Sequence, residues 1–173
     1  MPRLRLVLLI LTFVAQLGLA HHGLAQQATG GRRAQLQSRR GEAADTAAIR
    51  ALLDMQVAAW NRGDLEAYMA GYWKSDRLTF FSGGTVIRGW DATLARYRKR
   101  YQSAGKASMG KLDFTEVEVQ VLGPQSVFAR GRWHLAMSDG KTPDGKQLGG
   151  LTTLIFRRLP EGWRIVHDHS CSD

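Results

Sequence analysis

Apolar residues recur with two different periods along this chain, and the change from one to the other divides it. Ile49, Leu52, Leu53, Gln56, Val57 and Trp60 fall on one face of a helix, with Asp45 or Thr46 at its N-cap and Gly63 past its end. Asp64 caps a second, short helix carrying Leu65, Tyr68, Met69 and Tyr72 on one side. Leu78–Phe81 reads as a short strand, turned at Ser82-Gly83-Gly84 into Thr85–Ile87. Gly89-Trp90-Asp91 opens a third helix that buries Leu94, Tyr97 and Tyr101.

The period then drops to two. Val117, Val119 and Val121 alternate with Glu116, Glu118 and Gln120, and Gly123–Ser126 turns the chain into a strand from Val127 to Met137. A polar loop from Ser138 to Gly150 leads to a strand at Leu151–Arg158, and Pro160-Glu161-Gly162 turns into Trp163–Ser170. Helices first and an antiparallel meander afterwards make an α+β domain, its helices packed on one face of a curved sheet.

The N-terminal segment has neither period. Arg3 and Arg5 precede a ten-residue apolar run, Leu6–Ala15, and small residues follow at Ala20 and Ala25. Such a run is half of what a spanning helix needs, and the pattern is that of a secretory signal peptide over residues 1–25, cleaved after Ala25 or Ala20. Export implies a periplasmic or secreted protein with no membrane anchor once the leader is removed. Residues 26–41 hold glycines, glutamines and two arginine pairs without apolar spacing, and read as a flexible basic linker. The folded domain is therefore expected over 42–173.

This organisation changes what the charge means. The 173 residues carry a net +9, from 24 basic and 15 acidic side chains. Two arginines belong to the leader and four to the linker, which leaves residues 42–173 with 18 basic against 15 acidic groups. The run Arg96–Tyr101 is the densest basic stretch, but helical spacing puts Arg96, Arg98, Lys99 and Arg100 on a solvated face. Nucleic acid is not an expected partner. One cysteine, Cys171, excludes an internal disulfide framework.

Five motifs in order resemble the nuclear transport factor 2-like (NTF2-like) superfamily, in its SnoaL-like and DUF4440 branch. They are Ala59-Trp60-Asn61-Arg62-Gly63-Asp64-Leu65, Phe80–Gly84, Arg88–Asp91 with Tyr97 and Tyr101, Gly131-Arg132-Trp133, and Trp163–Ser170. The ending is also similar to that of the association domain of calcium/calmodulin-dependent kinase. The resemblance implies a cone-shaped half-barrel with an apolar pocket, and a homodimer through the sheet. It does not imply one activity, because the superfamily spans isomerases, cyclases, dehydratases, hydrolases and non-enzymatic adaptors.

Strand parity selects the residues that share the cone. Alternation places Trp133 inward with Val127, Ala129 and Leu135, and Arg130, Arg132 and His134 outward. In the last strand it places His167 and His169 on the face of Trp163 and Ile165, with Asp168 and Ser170 on the other. The expected ligand-binding set is then Trp60, Tyr68, Tyr72, Tyr97, Trp133 and His169, with Arg132 pairing an anion at the mouth or joining an interface. His167 is the candidate acid–base residue. No carboxyl group is expected in the cone, which disfavours an isomerase built on a carboxylate base.

A three-histidine metal site from His134, His167 and His169 is disfavoured by strand separation and by parity, and no metal or other cofactor is expected. There is no Ser-His-Asp arrangement, phosphate-binding glycine loop or nucleotide fingerprint. Three functions stay open: binding of a small, partly apolar molecule, with or without a carboxylate; SnoaL-like isomerase, dehydratase or hydrolase chemistry through His167; and a non-catalytic dimerisation or assembly module.

Overall fold

The computed structural model describes residues 3–137 and 146–173, with the backbone alone for residues 3–29 and Ala107. The chain divides into Met1–Ala43 and Ala44–Asp173. The element order is α1 (Arg3–Asn61), α2 (Leu65–Met69), β1 (Thr79–Ser82), β2 (Thr85–Arg88), α3 (Trp90–Tyr101), a 3₁₀ turn (Lys106–Met109), β3 (Lys111–Gly123), β4 (Ser126–Met137), β5 (Lys146–Leu159) and β6 (Gly162–Ser170). The helices-then-meander order expected from the periods is the order found.

Two expectations about α1 differ from the structure. Residues 26–41, read as linker, are helical, and their described side chains are exposed. Alanine, glutamine, arginine and leucine are good helix formers and outnumber the glycines that oppose them. Asp45 and Thr46 are consequently inside the helix and are not caps, and the Asp45 carboxylate pairs with the Arg158 guanidinium.

The buried stripe of α1 is the one its spacing gives. Ile49, Leu53, Gln56 and Trp60 are buried, with Leu52 and Val57 half-buried beside them. Gly63 stops the helix at φ 75°, a left-handed conformation that side chains other than glycine's resist. Asp64 Oδ1 then accepts from the Ala67 amide at 3.0 Å and caps α2.

The sheet has six strands in the order β2-β1-β6-β5-β4-β3. Strands β3 to β6 form the antiparallel meander, and the β1–β2 hairpin joins its edge through a parallel pairing of β1 with β6. The sheet is thus mixed at one edge. The loop expected from Ser138 to Gly150 lies outside the described residues as far as 145, and β5 already begins at Lys146. Gly149 and Gly150 are strand residues because the tail runs close beside them. The Cys171 and Asp173 amides donate to Leu151 and Gly149 carbonyls, and a Cβ on Gly150 would stand 1.8 Å from the Cys171 carbonyl oxygen.

Two bulges break the alternation. In β3, Thr115 pairs with Arg132 and Glu118 with Arg130, so Glu116 and Val117 together oppose Gly131, and Glu116 takes φ 53°. Phase therefore shifts from Leu112 and Phe114 inward to Val117, Val119 and Val121 inward. In β6, Ile155 pairs with His167 but Phe156 pairs with Ile165, which leaves Val166 as the extra residue. Such insertions bend a strand and turn the following side chains to the other face.

The second bulge sits where β6 changes neighbour. Before it, Ile165 bonds to the Gly71–Trp73 segment, its amide donating to Gly71 and its carbonyl accepting from Trp73, both at 2.9 Å. After it, His167, Asp168 and His169 pair with Thr79, Phe80 and Phe81 of β1.

Candidate functional site

A cavity with about 710 Å³ of empty space, its open mouth included, lies between α1, α2, α3 and the inner face of the sheet. Three helices supply much of its wall. Trp60 of α1 meets Tyr68, Tyr97 and Tyr101 edge-on, with ring centroids 5.1, 5.8 and 5.0 Å away. Tyr68 lies 5.4 Å from Tyr97 and 5.8 Å from Tyr72, and Phe80 lies 5.6 Å from Tyr97. Each such pair contributes about 0.5–1.5 kcal/mol beyond area burial, so the walls are a stiff aromatic cage. The Trp60 indole N–H donates to the Met109 carbonyl and Gln56 Nε2 to the Tyr68 carbonyl, which locks both side chains.

The sheet supplies the rest of the lining. Trp133 and Leu135 come from β4, as parity gives, and Thr152 and Leu154 come from β5. Trp133 is held by the tail, its indole N–H donating to the Cys171 carbonyl at 3.1 Å.

From β6 the cavity receives Asp168 and Ser170. This corrects the inner-face placement of His167 and His169. Alternation from Trp163 and Ile165 would aim the histidines inward, but the extra residue at Val166 reverses the phase for everything after it. The expectation that the cone holds no carboxyl group falls with it. His167 instead shares a hydrogen bond of 2.7 Å with Thr79 Oγ1 and meets the Phe81 ring edge-on, and His169 is exposed on the same side. Partial burial and the neighbouring His169 hold the His167 pKa below its ordinary value.

Asp168 is 3 % exposed, and each of its carboxylate oxygens accepts a hydrogen bond. Tyr72 donates to Oδ2 and Ser170 to Oδ1, both at 2.7 Å, and Thr152 Oγ1 stands 3.0 Å from the Ser170 hydroxyl. Burial pushes the carboxyl pKa up to about 6, against the lowering effect of the Ser170 and Tyr72 hydroxyls. Burial also raises the Tyr72, Tyr68 and Tyr97 phenols, and the nearby Asp168 charge raises them further. The phenols consequently stay protonated as donors, while the carboxyl changes charge close to neutrality. A carboxylate offers about four lone-pair positions, so two hydroxyl donors leave it able to accept a proton from a molecule in the cavity.

Of the residues singled out from the sequence, the structure brings Trp60, Tyr68, Tyr72, Tyr97 and Trp133 together around this cavity. It does not bring in His167, His169 or Arg132. Arg132 is on the outer face, where its guanidinium bonds the Asp173 carboxylate at 3.0 and 3.2 Å. Arg96 and Arg100, expected on a solvated helix face, are among the lining residues.

Parity no longer separates His134 from the other two histidines, since all three now face outward. Distance does: His134 lies opposite Gly149 of β5 and His167 opposite Ile155, six residues further along, about 20 Å apart. No group of three or more His, Cys, Asp or Glu among the described residues is placed to hold a metal ion.

Asp168 and Ser170 were hidden from sequence reading for a physical reason. After Val166 the strand runs His-Asp-His-Ser with no apolar residue to mark which side is inward. The available signal was Ile165-Val166, two apolar neighbours in an otherwise alternating strand, which is the footprint of a bulge.

Comparison with known proteins places this architecture. The family model for a SnoaL-like domain matches residues 49–172. No curated protein matches the chain at a significant level. Among solved structures, an NTF2-like protein of unknown function from Shewanella oneidensis is 39 % identical, with a TM-score of 0.66 over 73 % of this chain and 98 % of its own. An NTF2-like superfamily protein from Salmonella enterica is 17 % identical, with a TM-score of 0.61 over 75 % of this chain and 92 % of its own. A ketosteroid isomerase-like protein from Erwinia carotovora is 19 % identical, with a TM-score of 0.58 over 73 % and 94 %. At those last two identities the likeness concerns the fold alone. The family match over residues 49–172, together with the relative at 39 % identity, shows that the chain belongs to the SnoaL-like domain family within the NTF2-like superfamily.

Proposed function

We propose that the cavity binds a small, partly apolar molecule and that Asp168 performs acid–base chemistry on it. The observation that carries this reading is the placement of one buried carboxyl, titrating at about 6, on the wall of an aromatic cavity. A proton acceptor works best when its pKa lies near the working pH, and Asp168 meets that condition where His167 does not meet the geometric one. The reaction class is proton abstraction beside a carbonyl. The carboxylate takes the proton from carbon, the enolate oxygen accepts from a tyrosine hydroxyl, and the proton returns to a different position or is exchanged. A fold relative described as ketosteroid isomerase-like accords with this class.

Export through a cleaved leader remains part of the proposal, on the strength of the basic start and short apolar run. So does a homodimer through the sheet, for which Leu151 and Ile155 on the outer side of β5 offer exposed apolar surface, 49 % and 36 % accessible.

The test uses 2-tetralone, a carbonyl compound with an apolar body and acidic α-protons, in deuterated buffer. Proton NMR should show protein-dependent exchange that rises with pH through about 6 and is lost in Asp168→Asn. Exchange that persists in the variant would remove Asp168 from the chemistry. Binding of the ketone without exchange would leave the chain a binding protein.

A further inference from the structure

The acid in this cavity is accompanied by two bases that have nothing acidic to hold. Arg96 and Arg100 are four residues apart on α3, hence on one face of the helix, and both line the cavity. Arg98, on another face, pairs with Glu66. Arg62, Arg130, Arg132 and Arg158 likewise have carboxylate partners, respectively Asp64, Glu118, Asp173 and Asp45. Among the described residues no carboxylate pairs with Arg96 or Arg100.

What these two side chains do touch is aromatic. The Arg96 guanidinium stands over the Phe80 ring at 5.5 Å and the Arg100 guanidinium over Tyr101 at 5.4 Å. A guanidinium held by a ring face keeps its charge and its N–H donors, and the contact orders a side chain that is otherwise mobile. Arg100 is exposed and Arg96 half-buried, whereas Asp168 is buried, so cationic donors mark the wet end of the cavity and the carboxyl marks the dry end. The serine hydroxyls of Ser82 and Ser172 are also on the lining.

We infer that the cavity selects molecules carrying an anionic oxygen group, a carboxylate or a phosphate, and that Arg96 and Arg100 bind that group while the apolar body lies among the tyrosines with its reacting end toward Asp168. The inference rests on the proposed small-molecule function of the same cavity and names its ligand class. An arginine pair can receive two oxygens of one acid group, and charge-assisted hydrogen bonds of this kind are the strong ones. It also moves the anion-binding role from Arg132, which is occupied by Asp173, to α3.

The experiment compares three probes with one apolar body: 2-naphthoate, 2-naphthyl phosphate and 2-naphthalenemethanol, titrated calorimetrically into the full chain at neutral pH and low salt. The anions should bind roughly tenfold to a hundredfold more tightly than the alcohol, the range that charged hydrogen bonds supply. The better of the two anions tells carboxylate from phosphate. Arg96→Gln combined with Arg100→Gln should remove the preference, and Arg98→Gln on the same helix should keep it. Equal affinity of the alcohol and the anions in the parent protein would overturn the inference and leave the pocket reading standing, as would a preference that survives the double substitution. Binding of none of the three would overturn both.

Discussion

The two halves of β6 face the same cavity side by opposite rules. Trp163 and Ile165 point inward at odd positions, and Asp168 and Ser170 point inward at even ones, with Val166 absorbing the difference. The first half is apolar and belongs to the core that every domain of this size requires. The second half is polar and places a carboxyl where a core would put a valine. A single inserted residue therefore separates the part of the strand that holds the fold from the part that brings polar groups to the cavity. Bulges are common beside active sites for this reason: they re-aim side chains without disturbing the pairing on either side.

The strongest way to break that contrast is to delete Val166. Regular alternation then runs from Ile165 inward through His167 outward to Asp168 inward, so both facings survive, but the bend by which β6 leaves the Gly71–Trp73 segment for β1 is lost. The straightened strand cannot keep its bonds to both neighbours, and the loss should reach about 4 kcal/mol, read as a fall in the thermal transition.

Next in size is the pH dependence that Asp168 imposes. Its folded pKa lies above its unfolded one, so between about pH 4 and 6 the folded protein retains a proton that the unfolded chain has released. Its contribution to stability is greatest below pH 4 and falls as pH rises to 6. A rise from the ordinary aspartate value to about 6 corresponds to about 3 kcal/mol. Asp168→Asn should flatten this part of the pH–stability curve and be more stable than the parent protein above pH 7, as measured by urea unfolding at a series of pH values.

Tyr72→Phe is a smaller intervention on the same half of the strand. It removes the donor to Oδ2, so Asp168 should titrate higher still, at a cost in stability of about 1–2 kcal/mol. The smallest effect belongs to the residue that alternation favoured. His167→Ala gives up the bond to Thr79 and the contact with Phe81, a loss of about 1 kcal/mol or less, and should leave the tetralone exchange unchanged.

The same contrast explains how far the sequence can be read. Helix faces were legible because each carries several apolar markers: Ile49, Leu53 and Trp60 fix a rotation, and Leu94 with Tyr97 fixes another. The inward face of β4 was legible for the same reason, through Val127, Ala129 and Leu135. The aromatic members of the cavity followed from those faces. Parity, however, propagates only while the pairing is regular, and one residue's slip inverts everything beyond it. His167, Asp168, His169 and Ser170 include no apolar residue that would have exposed the inversion. The tail and the place of Arg96 and Arg100 on the cavity lining were illegible for a different reason. The Cys171 carbonyl beside Gly150, and Arg96 over Phe80, are contacts between elements far apart in sequence, and neither leaves a local pattern.

The central claim is that Asp168 is an inward, buried carboxyl poised near neutrality. Carbon-13 NMR of aspartate side-chain carboxyls, with the Asp168 resonance assigned by its absence in Asp168→Asn, measures this directly. Asp168 should titrate with a midpoint of about 6. A midpoint at the ordinary aspartate value of about 4 would show a solvated carboxyl and contradict the placement on which the proposed function rests.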